Sequence, residues 1–263
     1  MTAAQAAVLL VAFGTSARCE SSVKTAAPEY SAGSIAHSAT NTAGPFAPNI
    51  PISIYGTDLS WEQKTAAGEA RLPERLGGVQ VLANRTPAPL YFVSPKQVNA
   101  LIPASAVEGD MEIVVVREGT HGPAVKLKLE TVAPGLYQSG EFAVAIHADW
   151  TLITPEKPAR PGEAIVLYAA GLGRTVVRFG DFDFAPAGLG ADALALQNRK
   201  SVRVVVGGAP VEPFWAGAAP GFAGLYQVNV VLPETLAAKP EIRISVGDAI
   251  SPATFLPAAA LNQ

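Results

Sequence analysis

Read for its apolar and polar positions, the chain from Pro51 onward is a succession of short runs with period two. In "AVKLKLE" (124–130), Val125, Leu127 and Leu129 fall on one side and Lys126 and Lys128 on the other. That is the signature of a half-buried strand. Comparable runs are "ISIYG" (52–56), "VQVLA" (79–83), "PLYFV" (89–93), "QVNALI" (97–102) and "MEIVVV" (111–116). A second series follows: "AIVLYA" (164–169), "VRVVVG" (202–207), "VEPFWA" (211–216), "YQVNVVL" (226–232) and "EIRISV" (241–246). With 24 glycines and 22 prolines in 263 residues, long helices are disfavoured and strands between turns are not.

The two series repeat one another. "IYGTDL" (54–59) lies over "LYAAGL" (167–172), setting Tyr55 on Tyr168 and Leu59 on Leu172. "QVNALIP" (97–103) lies over "QVNVVLP" (227–233). The second copy is the longer of the two, and its extra residues fall in 174–200. The expected fold is all-β, two tandem immunoglobulin-like antiparallel β-sandwiches, with the first over 49–133 and the second over 134–263. The glycine loop at Gly171 and Gly173 resembles a phosphate cradle at first sight. Such a loop feeds a helix, however, and here "RTVVRFG" (174–180) follows. Positive φ at a strand end is the expectation instead.

Upstream, Ala6–Phe13 is unbroken and apolar and runs into Gly14-Thr15-Ser16-Ala17, although no Lys or Arg precedes it. Residues 1–17 are therefore expected to be a signal peptide rather than a membrane span, which takes about 20 residues. The product would be secreted, in the periplasm or at the cell surface. Residues 18–48, rich in Ser, Ala, Thr and Pro, read as a flexible lead-in. Cys19 stands alone, so no intrachain disulfide is available. A net charge of -3 with no basic run argues against a nucleic-acid partner.

"GEAIVLYAAGLG" (162–173), "PAPLYFVSPKQVNALIP" (87–103) and "APGFAGLYQVNVVLP" (219–233) resemble the signatures of the Solibacter-type C-terminal domain. That module ends many secreted acidobacterial proteins and is similar to IPT/TIG immunoglobulin-like repeats. The resemblance covers roughly 45–257, with "APGLY" (133–137) as the join between copies. It implies β-sandwich folding and export and carries no catalytic residues. Arg174 departs from it, standing where the family has a proline after Gly-Leu-Gly. In the family the module usually follows a much longer partner region.

Candidate chemistry is sparse. His37, His121 and His147 lack metal-ligand spacing and read as surface or turn residues. Asp181 and Asp183 in "GDFDF" (180–184) would share a strand face, but two carboxylates are too few oxygens for calcium. The amide pairs Gln97/Asn99 and Gln227/Asn229 occur in both copies and read as ties within the sandwich. Trp215 and Phe222 are candidates for an exposed aromatic platform, with aromatic core as the commoner fate. No cofactor, metal or catalytic residue is expected. The expected function is non-catalytic: attachment, assembly or binding of a protein or glycan partner at the cell surface. A carbohydrate-binding module is the alternative and a hydrolase the third reading. Residues 174–200 are expected to be a displayed loop that carries binding.

Overall fold

A computed structural model describes residues 26–259, so the expected signal peptide lies outside the described residues. The alternating runs form strands, and their inward positions are buried. In Val125–Leu129 the pattern is buried-exposed throughout, with both lysines outward. Glu241–Val246 spans the same six residues as the periodicity requires.

The strands build four sheets in two face-to-face pairs. In the first pair, one sheet runs Ile35–His37, Pro51–Tyr55, Gln97–Leu101, Leu90–Val93, with Lys64–Thr65 at its edge. Its partner runs Val125–Leu129, Gly109–Arg117, Val79–Ala83, Thr86–Ala88. In sequence order these are A-B-E-D and G-F-C-C′, the strand order of immunoglobulin sandwiches. The second pair repeats it. Ala164–Ala170, Tyr226–Val231 and Trp215–Ala218 lie in one sheet, with Gly135–Leu136 and Ala145–His147 also paired to Ala164–Ala170. Thr254–Phe255, Glu241–Val246, Val202–Val206 and Ala209–Val211 lie in the other. Register repeats as well as order: Tyr55 opposes Gln97 and Tyr168 opposes Gln227. The amide pairs sit on these strands, Gln97 Nε2 donating to Asn99 Oδ1 at 2.8 Å and Gln227 Nε2 to Asn229 Oδ1 at 2.9 Å.

Residues 26–48 are not a flexible lead-in. Ile35–His37 is strand A of the first sandwich, and Ile35, Ala36, His37, Phe46 and Ala47 are buried. The first sandwich therefore begins upstream of residue 49. Composition misleads here because the segment is polar on average while its few apolar residues complete a sheet edge. Further upstream, the buried Arg117 guanidinium donates to Ala26 O and Asp58 O and stacks on the Trp61 ring, 3.4 Å from its centroid.

The two sandwiches interlock. Ala223 of the second half belongs to the apolar core of the first. Tyr91 donates to Ala223 O at 2.7 Å. Tyr226 accepts from Asn49 Nδ2 at 2.9 Å and donates to Gly173 O at 2.6 Å. Gly171 and Gly173 have φ of 73° and 105°, and no helix follows them. At Gly171 a Cβ would lie 1.9 Å from Ala133 O and 2.9 Å from Ile50 Cδ1, so glycine is what lets the sandwiches close up.

Candidate functional site

At this seam the surface opens into a cleft of about 770 Å³. Three pieces of chain build it. Asn49 and the turn 104–108 come from the first sandwich, the turn 222–226 from the second, and residues 173–185 with Gln197 and Asn198 from the segment between strands. Tyr226 contributes to the lining as a fully buried side chain, and burial pushes its phenol up to about 12. At neutral pH it is a neutral clasp holding Asn49 against Gly173.

The segment 174–200 is the principal wall, and it is not a freely displayed loop. Ala185, Leu194, Ala195 and Leu196 are buried. Leu196 N donates to Ala216 O at 3.0 Å, and Ala195 pairs with Gly217. This bridging covers the open edge of strand Trp215–Ala218, which would otherwise expose unpaired backbone groups. A short helix, Ala191–Leu194, leads into the bridge. On its other side the segment is knit to the turn 219–222, with Ala185 N donating to Phe222 O at 2.9 Å and Gly221 N to Ala185 O at 2.7 Å. It also reaches the first sandwich, accepting at Phe182 O from Leu72 N at 2.9 Å.

Asp181 and Asp183 do not share a strand face; they lie in a turn of this segment and serve different partners. Asp181 accepts from Ser105 N at 2.8 Å and Ser105 Oγ at 2.6 Å, tying the wall to the first sandwich. Asp183 lies 3.8 Å from Arg71 Nε. Both also line the cleft, as does Phe222. Trp215 does not stand out as a platform. It packs with Ala185, Leu194 and Ala218, and its indole lies over Gly217, where a Cβ would come within 2.8 Å of the ring. Its Nε1 is buried without a hydrogen-bond partner among the described residues. Phe214, beside it, is the aromatic that is exposed.

The histidines lie away from the cleft, and two are buried rather than on the surface. His37 Nδ1 accepts from Ala39 N at 3.1 Å, which leaves Nε2 to donate to Ala133 O at 3.2 Å. Burial lowers its pKa to about 4. His147 places Nδ1 2.6 Å from Glu163 Oε1 and Nε2 3.2 Å from Lys157 O. His121 is exposed in a hairpin, as its sequence context suggests. Among the described residues no group of three or more His, Cys, Asp and Glu side chains could hold a metal ion. No described helix is long and apolar enough to cross a membrane.

Sequence reasoning missed Asn49, Ser105 and Tyr226 as cleft residues, whereas Arg178 and Phe179 lie within 174–200, the segment expected to carry binding. Arg174 lies in that same segment.

No family model matches the chain, and no curated protein does. Solved structures with similar folds include the Bacteroides ovatus mixed-linkage glucan utilization locus SGBP-B in complex with a mixed-linkage heptasaccharide. It is 10% identical, with a TM-score of 0.34, over 85% of this chain and 45% of that one. Another is the surface glycan-binding protein PbSGBP-B from Prevotella bryantii, 10% identical with a TM-score of 0.26, over 89% of this chain and 42% of that one. The tandem Ig repeats of Dlar are 10% identical with a TM-score of 0.21, over 89% of this chain and 96% of that one. The chain thus spans less than half the length of either glycan-binding structure. At these TM-scores the likeness does not bear on what is bound; the fold assignment rests on strand order and register.

Proposed function

We propose that this chain is a non-catalytic, exported binding module whose ligand sits in the cleft at the seam. The observation that carries the reading is the cleft itself, about 770 Å³ and walled by three separate pieces of chain. That volume falls within the range of small-ligand sites, roughly 300–1,000 Å³. Its chemistry favours holding over reacting. Among the described residues, no histidine, cysteine or lysine lines it. The hydroxyl of Ser105 donates straight to the Asp181 carboxylate, with no histidine among the described lining residues to relay its proton as in a serine triad. The apolar stretch at 6–13 and the resemblance to the Solibacter-type domain support export and a place at the cell surface.

The test is direct binding. The chain from residue 18 is immobilised and offered a glycan panel and extracts of surface proteins, alongside a hydrolase substrate panel. Phe222→Ala and a plug, Val107→Trp, are run in parallel; Val107 is 70% exposed, so the larger side chain is tolerated by the fold. The expected result is a retained ligand lost in both variants and no turnover. Turnover of any substrate, or a ligand indifferent to both variants, would overturn the reading.

A further inference from the structure

The cleft's polar groups divide into those already satisfied and those left open. Its three carboxylates are engaged: Glu108 accepts from Thr131 Oγ1, Asp181 from Ser105, and Asp183 faces Arg71. Its two guanidinium groups are not. Arg174 and Arg178 line the cleft, are exposed, and make no ion pair or side-chain hydrogen bond among the described residues. Each presents a planar fork of five N–H donors, the geometry that takes a carboxylate in two parallel bonds. With Arg71 counted, acids and guanidinium groups balance. Any preference for an anion must therefore come from these forks at close range and not from a general positive field.

Shape decides which anion carrier fits. One common way for a cleft beside a sheet to hold an extended peptide is to add it to an open strand edge. The edge beside the cleft, Trp215–Ala218, is already taken by Ala195 and Leu196. The remaining lining suits a ring instead. Phe179 and Phe222 are half-buried aromatics in the lining, and Ser105 and Gln197 lie exposed in it; the hydroxyl donates to Asp181 and the amide to Thr175 O, which leaves their oxygens to accept. Flat apolar faces with a few placed polar groups are how a cleft holds a compact polar ring. We infer, on the reading of the cleft as a ligand site, that it takes a sugar bearing a carboxylate, with Arg174 and Arg178 holding the acid and Phe179 and Phe222 flanking the ring.

The probes are oligogalacturonate, the matched neutral galacto-oligosaccharide and a glutamate-rich peptide, titrated by calorimetry against the native chain, Arg174→Gln/Arg178→Gln and Phe222→Ala. The expected result is binding of the acidic sugar alone, weakened roughly tenfold or more by the double arginine change and also weakened by Phe222→Ala. Circular dichroism of the double variant should be unchanged, because both arginines are exposed. Neutral sugar bound equally well and still lost in Phe222→Ala would overturn the acid preference while leaving the cleft as a ligand site. Peptide bound as tightly as the acidic sugar would overturn the choice of a sugar. If acidic sugar is bound and neither the double arginine change nor Phe222→Ala matters, the cleft is not the site and both readings fall; loss on the arginine change alone would overturn the flanking of the ring by Phe222. No binding by any of the three would overturn the carboxylate-bearing sugar, with the wider glycan panel left to judge the cleft.

Discussion

Tyr226 shows how much a single hydroxyl can hold when both its hydrogen-bonding roles are used. It donates to Gly173 O and accepts from Asn49 Nδ2, joining two sandwiches and the cleft wall. Tyr226→Phe keeps the ring and removes the partner of two half-buried polar groups. We expect a loss of about 1–3 kcal/mol, read from the urea midpoint, with the β signal in circular dichroism retained. His37 sets a different dependence. Its native pKa of about 4 lies below the unfolded value near 6.5, so between these the unfolded chain binds more protons. Stability from this residue is fully present above about pH 6.5 and drains away as pH falls towards 4. Urea midpoints measured at pH 7 and pH 4.5 should differ, and His37→Ala should flatten the difference while lowering stability at pH 7. An equal slope in the variant would show that other groups set the acid response.

At the scale of elements, strands were legible and the segment between them was not. Period-two alternation placed Val79–Ala83, Val125–Leu129 and Glu241–Val246 because each has one face in the core and one in water. The same test fails on residues 174–200, where burial comes from isolated residues such as Leu194 and Leu196 meeting neighbours far along the chain. It failed for Ile35–His37 too, a strand of three residues, all buried, with no alternation to read. The packing changes what a deletion should do. Replacing 176–198 by a Gly/Ser linker removes two buried leucines, worth roughly 2 kcal/mol each, and uncovers the Trp215–Ala218 edge. The expected outcome is a lower melting temperature and concentration-dependent association in size-exclusion chromatography. An unchanged, monomeric product would restore the displayed-loop view.

For the molecule as a whole, the join decides behaviour. The sequence repeat announced two similar halves but not their contact, because Asn49, Tyr91, Ala133, Gly171, Ala223 and Tyr226 meet only once both halves are folded. The cleft was invisible for the same reason. A linkage through Gly171 packed on Ala133 should make the halves melt together, as one calorimetric transition. Gly171→Ala sets a methyl against Ala133 O at an unfavourable φ, and should cost well over the 1 kcal/mol or so that conformation alone would take. Splitting of the single transition into two in that variant is the expected trace; two transitions in the native chain would show that the seam is weaker than its contacts suggest.

The clasp of Arg117 on Ala26 has a mechanical meaning. A pull applied from upstream of residue 26 does not begin by peeling Ile35–His37 from its neighbour, one hydrogen bond at a time. It meets the buried guanidinium first, and Arg117 ends the nine-residue strand Gly109–Arg117, so the tension passes into the middle of a sheet. Loading bonds together rather than in sequence raises the force a fold withstands. In optical-tweezer extension, Arg117→Leu should lower the first rupture force of this end more than it shortens the length released. An unaltered rupture force would show that the load travels by another route.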